Sequence, residues 1–115
     1  MIKFYRTDHK VLSEITEYED NMWVCMTKPT VDETKLIAED FEIDLADVRA
    51  ALDDEESSRV EVEDGYTLIL VDIPSIEMRN EREAYTTIPL GIILVKDILI
   101  TVCAEDTPVL EAFIE

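Results

Sequence analysis

The sequence predicts one α/β domain of the α+β type, a mixed, largely antiparallel β-sheet with short helices packed on its faces. Its 115 residues amount to one domain of ordinary size, so residues 1–115 are treated as a single unit. Hydrophobic residues make up 47% and charged residues 33% of the chain, which is a globular composition. Apolar runs of strand length alternate with short turn signals and with two helix starts.

The N-terminal third of the chain predicts two strands. Residues 1–6 place Ile2 and Phe4 on one side of an extended segment. Met22–Met26 is an apolar run of strand length. The pattern at Val11–Ile15 is ambiguous, so no element is assigned there.

Two helices are predicted to follow. Thr30, with Glu33 three residues later, forms a capping box that begins the first helix. Asp44 is predicted to cap the second helix, since apolar residues occupy the hydrophobic-staple positions around it. This helix should fade in the acidic run 53–56, because carboxylates at a helix C-terminus and like charges along a helix both oppose its continuation.

A hairpin is predicted next. Arg59–Glu63 alternates apolar and charged residues, as a half-exposed strand does. Asp64-Gly65 has the composition of a two-residue type I′ turn. Tyr66–Ile73 is nearly all apolar and predicts a more buried strand. We expect Pro74 to end it.

The remaining third predicts two more strands and a helix start. Residues 75–83 are polar and predict an exposed connection. Ala84–Val95 predicts a long strand that bends, bulges or lies at an edge at Pro89, because proline cannot donate a ladder hydrogen bond. After a turn at Lys96-Asp97, Ile98–Cys103 predicts the last strand. A helix is expected from Thr107, and the chain is expected to be a fragment truncated at the start of a longer helical region.

The charge balance narrows the classes of partner. The chain has 28 acidic and 10 basic residues, a formal net charge of −18. Such a surface repels phosphate backbones and anionic lipid, so nucleic acid is not expected as a partner. A basic protein or a divalent cation suits it better, although acidity also serves solubility alone. The two cysteines, Cys25 and Cys103, lack zinc-binding spacing and are expected to be small buried hydrophobic residues.

Residues suited to catalysis are scarce. The one histidine, His9, stands beside Asp8, which is weak evidence for any site. No nucleophile elbow, phosphate loop or dinucleotide-binding glycine pattern occurs. We therefore expect neither an enzyme nor a small-molecule substrate. A small enzyme would require a pocket of convergent polar groups, and the sequence indicates none.

One acidic run has the chemistry of a cation site. Asp53, Asp54 and the two glutamates after them offer hard oxygen ligands of the kind that Mg²⁺ and Ca²⁺ prefer. An EF-hand pattern is absent. The run therefore fits a weak, water-mediated or subunit-bridging cation site, or else a solvated helix end.

Several segments in order resemble the CorA family of divalent-cation transporters. Trp23-Val24 before Pro29 resembles that family's tryptophan strand, and residues 41–52 resemble its short helix pair. Residues 58–70 resemble its "R-x-E … Y" hairpin. The segment from Leu90 to Val102 is similar to its paired apolar strands ending in "L-I-T-V".

This resemblance implies the N-terminal cytoplasmic domain of a magnesium transporter. In the family such a domain lies on the cytoplasmic side of the cell membrane and is followed by a membrane part, and five chains assemble into a homo-oligomer. Mg²⁺ bound between subunits acts as a weak regulatory ligand that favours the closed channel, and no cofactor is required for folding.

One departure from the family pattern affects the expected metal site. The family often reads E-D-x-L in the second helix, where this chain has Arg49-Ala50-Ala51-Leu52. Ala50 therefore stands at the sensing aspartate. Asp47, Asp53 and Asp54 are the candidate metal ligands in its place. The alternative function is a stand-alone acidic protein-interaction module that docks a basic partner and has no transport role.

Overall fold

The computed structural model describes residues 1–8, 11–53, 58–79 and 82–105, with the backbone alone at 8, 75–79 and 82–86. The described strands are β1 (Ile2–Asp8), β2 (Val11–Ile15), β3 (Met22–Thr27), β4 (Arg59–Val62), β5 (Thr67–Arg79), β6 (Arg82–Val95) and β7 (Ile98–Cys103). The helices are α1 (Val31–Asp40) and α2 (Leu45–Val48), followed by a 3₁₀ turn (Ala50–Leu52). None of these helices has the length and hydrophobicity needed to cross a membrane.

The strands of these described ranges form one sheet in the order β2-β1-β3-β7-β6-β5-β4. Neighbouring strands are antiparallel except β3 and β7, which pair in parallel. Hairpins join β4 to β5, β5 to β6 and β6 to β7, and the two helices lie in the long connection between β3 and β4. This architecture confirms the predicted mixed, largely antiparallel sheet with short helices, and it assigns the ambiguous segment Val11–Ile15 to a strand.

Both predicted helix starts are confirmed by their caps. The backbone N–H of Glu33 donates to Thr30 Oγ1 (3.1 Å), and the backbone N–H of Thr30 donates to Glu33 Oε1 (2.8 Å). Asp44 Oδ1 accepts a hydrogen bond from the backbone N–H of Ala46 (3.0 Å). The second helix is a single turn and gives way to the 3₁₀ turn, so it ends before the acidic run. Residues 54–57 lie outside the described part of the chain.

The hairpin between β4 and β5 has the predicted two-residue loop but not the predicted turn type. Val62 pairs with Thr67, and the backbone N–H of Glu63 donates to the carbonyl of Tyr66 (2.9 Å) across the loop. A type I′ turn requires positive φ at both central residues. Gly65 has a φ of 95°, but Asp64 does not adopt positive φ, so the type I′ assignment was wrong.

Pro74 does not end its strand, and residues 75–79 and 82–83 belong to strands rather than to a connection. β5 runs through Pro74 to Arg79 and pairs with β6 as far as Arg82. The physical reason is that β4 pairs with β5 only as far as Leu70. Beyond that point the outer edge of β5 has no strand partner among the described residues, and an edge tolerates a missing N–H.

Pro89 lies at a strand edge, as predicted for a residue that cannot donate a ladder hydrogen bond. It pairs with Asp72 of β5 on one side, whereas pairing of β6 with β7 begins only at Leu90. Pro89 therefore lies where one edge of β6 has no described strand beside it. The turn at Lys96-Asp97 and the last strand also lie where the sequence predicted them.

The two faces of the sheet carry separate apolar clusters. On the helix face, side chains of β3, β5, β6 and β7 pack against α1, α2 and the 3₁₀ turn, and Val24, Ile93 and Ile100 are fully buried. Gly91 belongs to this face because a Cβ at that position would lie 3.1 Å from the Cβ of Ala51. This close approach is what brings the 3₁₀ turn against the sheet.

The opposite face, called here the second face, has an apolar cluster to which neither helix contributes. Its members include Tyr5 and Leu90, with Trp23 and Ile92 partly buried beside them. Cys25 and Cys103 also lie in this cluster and are buried, as the sequence predicted. Burial raises the pKa of the Cys103 thiol, which keeps the thiol in its neutral form.

Candidate metal centre

Three carboxylates converge where the second helix meets the β4–β5 hairpin. Asp47, Glu61 and Glu63 each offer an oxygen, and these oxygens lie within 4.8 Å of one another. Glu61 and Glu63 are two residues apart on an extended segment, so both side chains point to the same face of the sheet. Asp47 meets them there because α2 packs on the helix face.

Tyr66 fixes the orientation of the Asp47 carboxylate. Its hydroxyl donates to Asp47 Oδ2 (2.5 Å) and accepts from the backbone N–H of Asp44 (3.3 Å). Burial, followed by the hydrogen bond to Asp47, raises the pKa of Tyr66 to about 12. The hydroxyl is therefore protonated throughout the neutral range and holds the one-turn helix against the hairpin.

Among the described residues, Arg59 is the positively charged side chain that contacts Glu61. Its Nε donates to Glu61 Oε1 at 2.6 Å, and the two side chains are 31% and 36% exposed. Three carboxylates and one guanidinium leave the group with a negative charge. An ion pair this exposed contributes little to stability, so a cation in solution can compete with it.

The chemistry of this donor set suits a hard divalent cation held partly through water. Carboxylate oxygens are the protein ligands that Mg²⁺ and Ca²⁺ prefer. Oxygens around one octahedral Mg²⁺, each at about 2.1 Å, are at most about 4.2 Å apart. The three oxygens lie within 4.8 Å of one another, which is close to this limit, so the group can hold such an ion directly or through a water molecule with little movement.

The structure separates the three candidates that the sequence named. Asp47 belongs to the carboxylate group. Asp53 is exposed and is not a member of it, and Asp54 lies outside the described residues. Ala50, which the family resemblance places at the sensing aspartate, is 5% exposed and packs in the core cluster of the helix face.

Sequence reasoning missed Glu61 and Glu63 as members of the group. Their alternation with the valines of β4 was visible and showed that both lie on one side of the strand. The alternation could not show which side the second helix covers, because that depends on the path of the chain between β3 and β4. His9 lies outside the described residues.

The fold is shared with solved structures of CorA and ZntB. The soluble domain of CorA from Methanocaldococcus jannaschii matches with a TM-score of 0.79 and 21% identity, over 98% of this chain and 44% of that one. The complete CorA magnesium transporter from the same organism matches with a TM-score of 0.75 and 17% identity, over 98% and 35%. The ZntB cytoplasmic domain from Vibrio parahaemolyticus matches with a TM-score of 0.70 and 15% identity, over 96% and 46%.

The family follows from the sequence as well. Residues 18–115 match the model of the family described as CorA-like Mg2+ transporter protein, which is most of the chain. This protein belongs to that family, as the order of its motifs indicated. It is a domain of a transporter family rather than of a known enzyme class. The chain spans less than half the length of each of these three structures, and no curated protein matches it.

Proposed function

We propose that this chain is the regulatory cytoplasmic domain of a CorA-type transporter of magnesium or another divalent cation. Its family and its fold support the proposal, since the similar structures include a CorA soluble domain and a ZntB cytoplasmic domain. The parent protein would supply the membrane part and would assemble as a homo-pentamer, as the family resemblance implies. The proposed regulatory role is supported by the carboxylate group formed by Asp47, Glu61 and Glu63.

The proposed regulation is a shift of population driven by cation binding. Without a cation the carboxylates repel one another and the carboxylates of neighbouring chains. Bound Mg²⁺ removes this repulsion and stabilises the conformation that holds α2 against the hairpin, which favours the closed assembly. The carboxylate group would bind the regulatory cation in place of the family's sensing aspartate, whose position Ala50 occupies.

A magnesium titration of the domain tests this proposal. The thermal midpoint should rise with Mg²⁺ because the cation binds the folded state, which gains about 1.4 kcal/mol of unfolding free energy at ten times the dissociation constant. The rise should be lost in Asp47→Asn and in Glu63→Gln. Asp20→Asn is the matched control, since it removes one exposed carboxylate outside the group and should leave the rise unchanged.

Two results would contradict the proposal. One is an equal rise with NaCl at matched ionic strength, which would show general screening of the negative charge. The other is an equal loss of the rise in Asp20→Asn and Asp47→Asn, which would show that no particular carboxylates bind the ion.

A further inference from the structure

The loop of the β4–β5 hairpin contains a reactive dipeptide that the proposed function does not use. Asp64 and Gly65 form the two-residue loop, and both are exposed. An aspartate followed by glycine can cyclise, because its side-chain carboxyl lies next to a peptide nitrogen that no β-carbon shields. Whether the reaction occurs in the folded chain depends on how firmly the loop holds these two groups.

Neither reacting group is held by the described contacts. Among the described residues, the Asp64 carboxylate accepts no hydrogen bond and pairs with no cation. The bond that closes the loop runs from the backbone N–H of Glu63 to the carbonyl of Tyr66 (2.9 Å), and the described contacts give the N–H of Gly65 no acceptor. Attack of the Gly65 nitrogen on the Asp64 side chain therefore breaks no hydrogen bond within the described part of the chain.

The conformation of the loop favours glycine after the aspartate. Gly65 has a φ of 95°, in the left-handed region that glycine adopts freely and other residues adopt rarely. A Cβ built at Gly65 would meet no atom within 4 Å, so the space beside this residue is open. The turn therefore selects the residue that leaves its own nitrogen least shielded, directly after an exposed aspartate.

We propose that Asp64-Gly65 is a site of spontaneous backbone isomerisation, in which the aspartate becomes isoaspartate. The Gly65 nitrogen attacks Cγ of the protonated Asp64 carboxyl, the new C–N bond replaces the Cγ–OH bond, and the hydroxyl leaves as water with the proton of the nitrogen. Water then adds to the α-carbonyl carbon of the five-membered succinimide and breaks the bond from that carbon to the nitrogen. The chain now runs through Cβ and Cγ of Asp64 and carries a free α-carboxylate. One water molecule is lost and one is gained, so no oxidant or reductant is needed.

Isomerisation would alter the hairpin that carries the carboxylate group. It adds one carbon atom to the backbone of a loop whose length fixes the register of the two strands. Glu63 and Tyr66 flank this loop, and the first belongs to the carboxylate group while the second donates to Asp47. The isomerised chain should therefore be less stable at this end of the sheet. This inference goes beyond the proposed function, because the reaction takes place whether or not the group binds a cation.

The test follows the two aspartates of one tryptic peptide, residues 60–79, after the folded chain has been kept in warm, mildly acid buffer. Asp72 is the internal control, since it is also exposed but lies within β5 and precedes Ile73, whose branched side chain shields the peptide nitrogen. An aspartate-specific endoproteinase cleaves before aspartate but not before isoaspartate. We expect cleavage before Asp64 to be lost progressively at unchanged peptide mass, while cleavage before Asp72 persists.

Three variants of the loop assign the reaction to its two groups. Asp64→Asn should react several-fold faster through the same ring, because the side-chain amide needs no prior protonation and loses ammonia instead of water. Gly65→Asn should slow the loss of cleavage several-fold, because asparagine tolerates the left-handed region but adds a β-carbon beside the nitrogen. Asp64→Ser lacks the carboxyl, so its thermal midpoint should stay constant during the incubation while that of the parent chain falls.

Several results would overturn the proposal. Persistent cleavage before Asp64 in the folded chain, with loss of this cleavage in the isolated peptide treated in parallel, would show that the hairpin holds the two groups apart. Equal loss before Asp64 and Asp72 would show that the loop is not a particular site. An equal fall of the thermal midpoint in Asp64→Ser would assign the loss of stability to another cause. None of these measurements uses Mg²⁺, so they leave the proposed function to its own titration.

Discussion

The helix face and the second face of the sheet are equally apolar in sequence but unequally covered. In β6, Ile92, Ile93 and Leu94 follow one another without a polar residue, yet Ile93 is fully buried while Leu94 is 45% exposed. A strand with one solvated face normally alternates apolar and polar residues, whereas a continuous apolar run is typical of a strand covered on both faces. The comparison teaches that β6 has the composition of a doubly covered strand, and that α1, α2 and the 3₁₀ turn supply one of the two covers.

The largest expected effect is the difference in unfolding free energy between alanine substitutions of two neighbouring isoleucines, one on each face. Ile93→Ala leaves a cavity under the helices and should cost about 3 to 4 kcal/mol of unfolding free energy. Ile92→Ala removes the same atoms from the same strand on the second face and should cost about 1 to 2 kcal/mol, since the side chain is only partly buried. Urea unfolding followed by Trp23 fluorescence measures both values.

Equal losses in the two variants would break the comparison. They would mean that Ile92 is as well covered in solution as Ile93, so that the second face is not open at this strand. The m-value should stay constant between the variants, because a changed m-value would indicate a changed unfolded or native state instead.

Gly91 tests how closely the helical layer must approach the sheet. Gly91→Val should cost about 2 kcal/mol, because its side chain would meet the Cβ of Ala51 and the backbone carbonyl of Val102. The variant Ala51→Gly removes the nearest of these atoms. In that background Gly91→Val should cost less, and the coupling between the two sites gives the part of the cost due to this contact. An unchanged cost would attribute the loss to β7 rather than to the 3₁₀ turn.

Local signals in the sequence predicted much of the fold. The capping box at Thr30, the cap at Asp44 and the last strand all lie where short-range chemistry placed them. Pro74 was misinterpreted because its effect depends on where β4 stops pairing, which is a tertiary fact. The turn at Gly65 was misassigned because its composition suits more than one turn type.

The candidate site was predicted only in part, for the same kind of reason. Asp47 could be named because the family resemblance pointed to the second helix, where Asp47 lies close in sequence to Ala50 at the position of the sensing aspartate. Glu61 and Glu63 belong to a strand whose alternation is symmetric in sequence, since either its valines or its charges could face the helices. In the structure the charged residues of β4 face the helices and its valines face solvent, which is the reverse of the usual arrangement. This orientation brings Glu61 and Glu63 to Asp47.

Tyr66 should make a smaller contribution, on the helix face alone. Tyr66→Phe removes the hydrogen bonds with Asp47 and Asp44 and should cost about 1 kcal/mol, because the contact is partly exposed. The pKa of Tyr66 is raised from 10.0 to about 12, so its contribution is fully present below pH 10 and is lost as the pH rises toward 12. Tyr66→Phe should therefore be less sensitive to alkali in this window than the parent chain.

The control for this experiment is a second tyrosine in a similar bond. Tyr18 donates to Asp40 Oδ2 (2.5 Å), and burial, followed by this hydrogen bond, raises its pKa to about 12. Tyr18→Phe should remove a separate part of the alkaline sensitivity, and the double variant should remove both. Equal alkaline unfolding of all the chains would show that neither phenol stabilises the fold.

The smallest effect on stability is expected at the two exposed valines of β4, which lie on the second face. Val60→Thr, Val62→Thr should change the unfolding free energy by no more than about 0.5 kcal/mol, because both side chains are mostly exposed and threonine also favours strands. Chemical denaturation beside the parent chain measures it. A loss above about 1.5 kcal/mol would mean that other parts of the molecule cover the valines in solution. A near-neutral result would show that the exposed end of the second face contributes little to the folding of this domain.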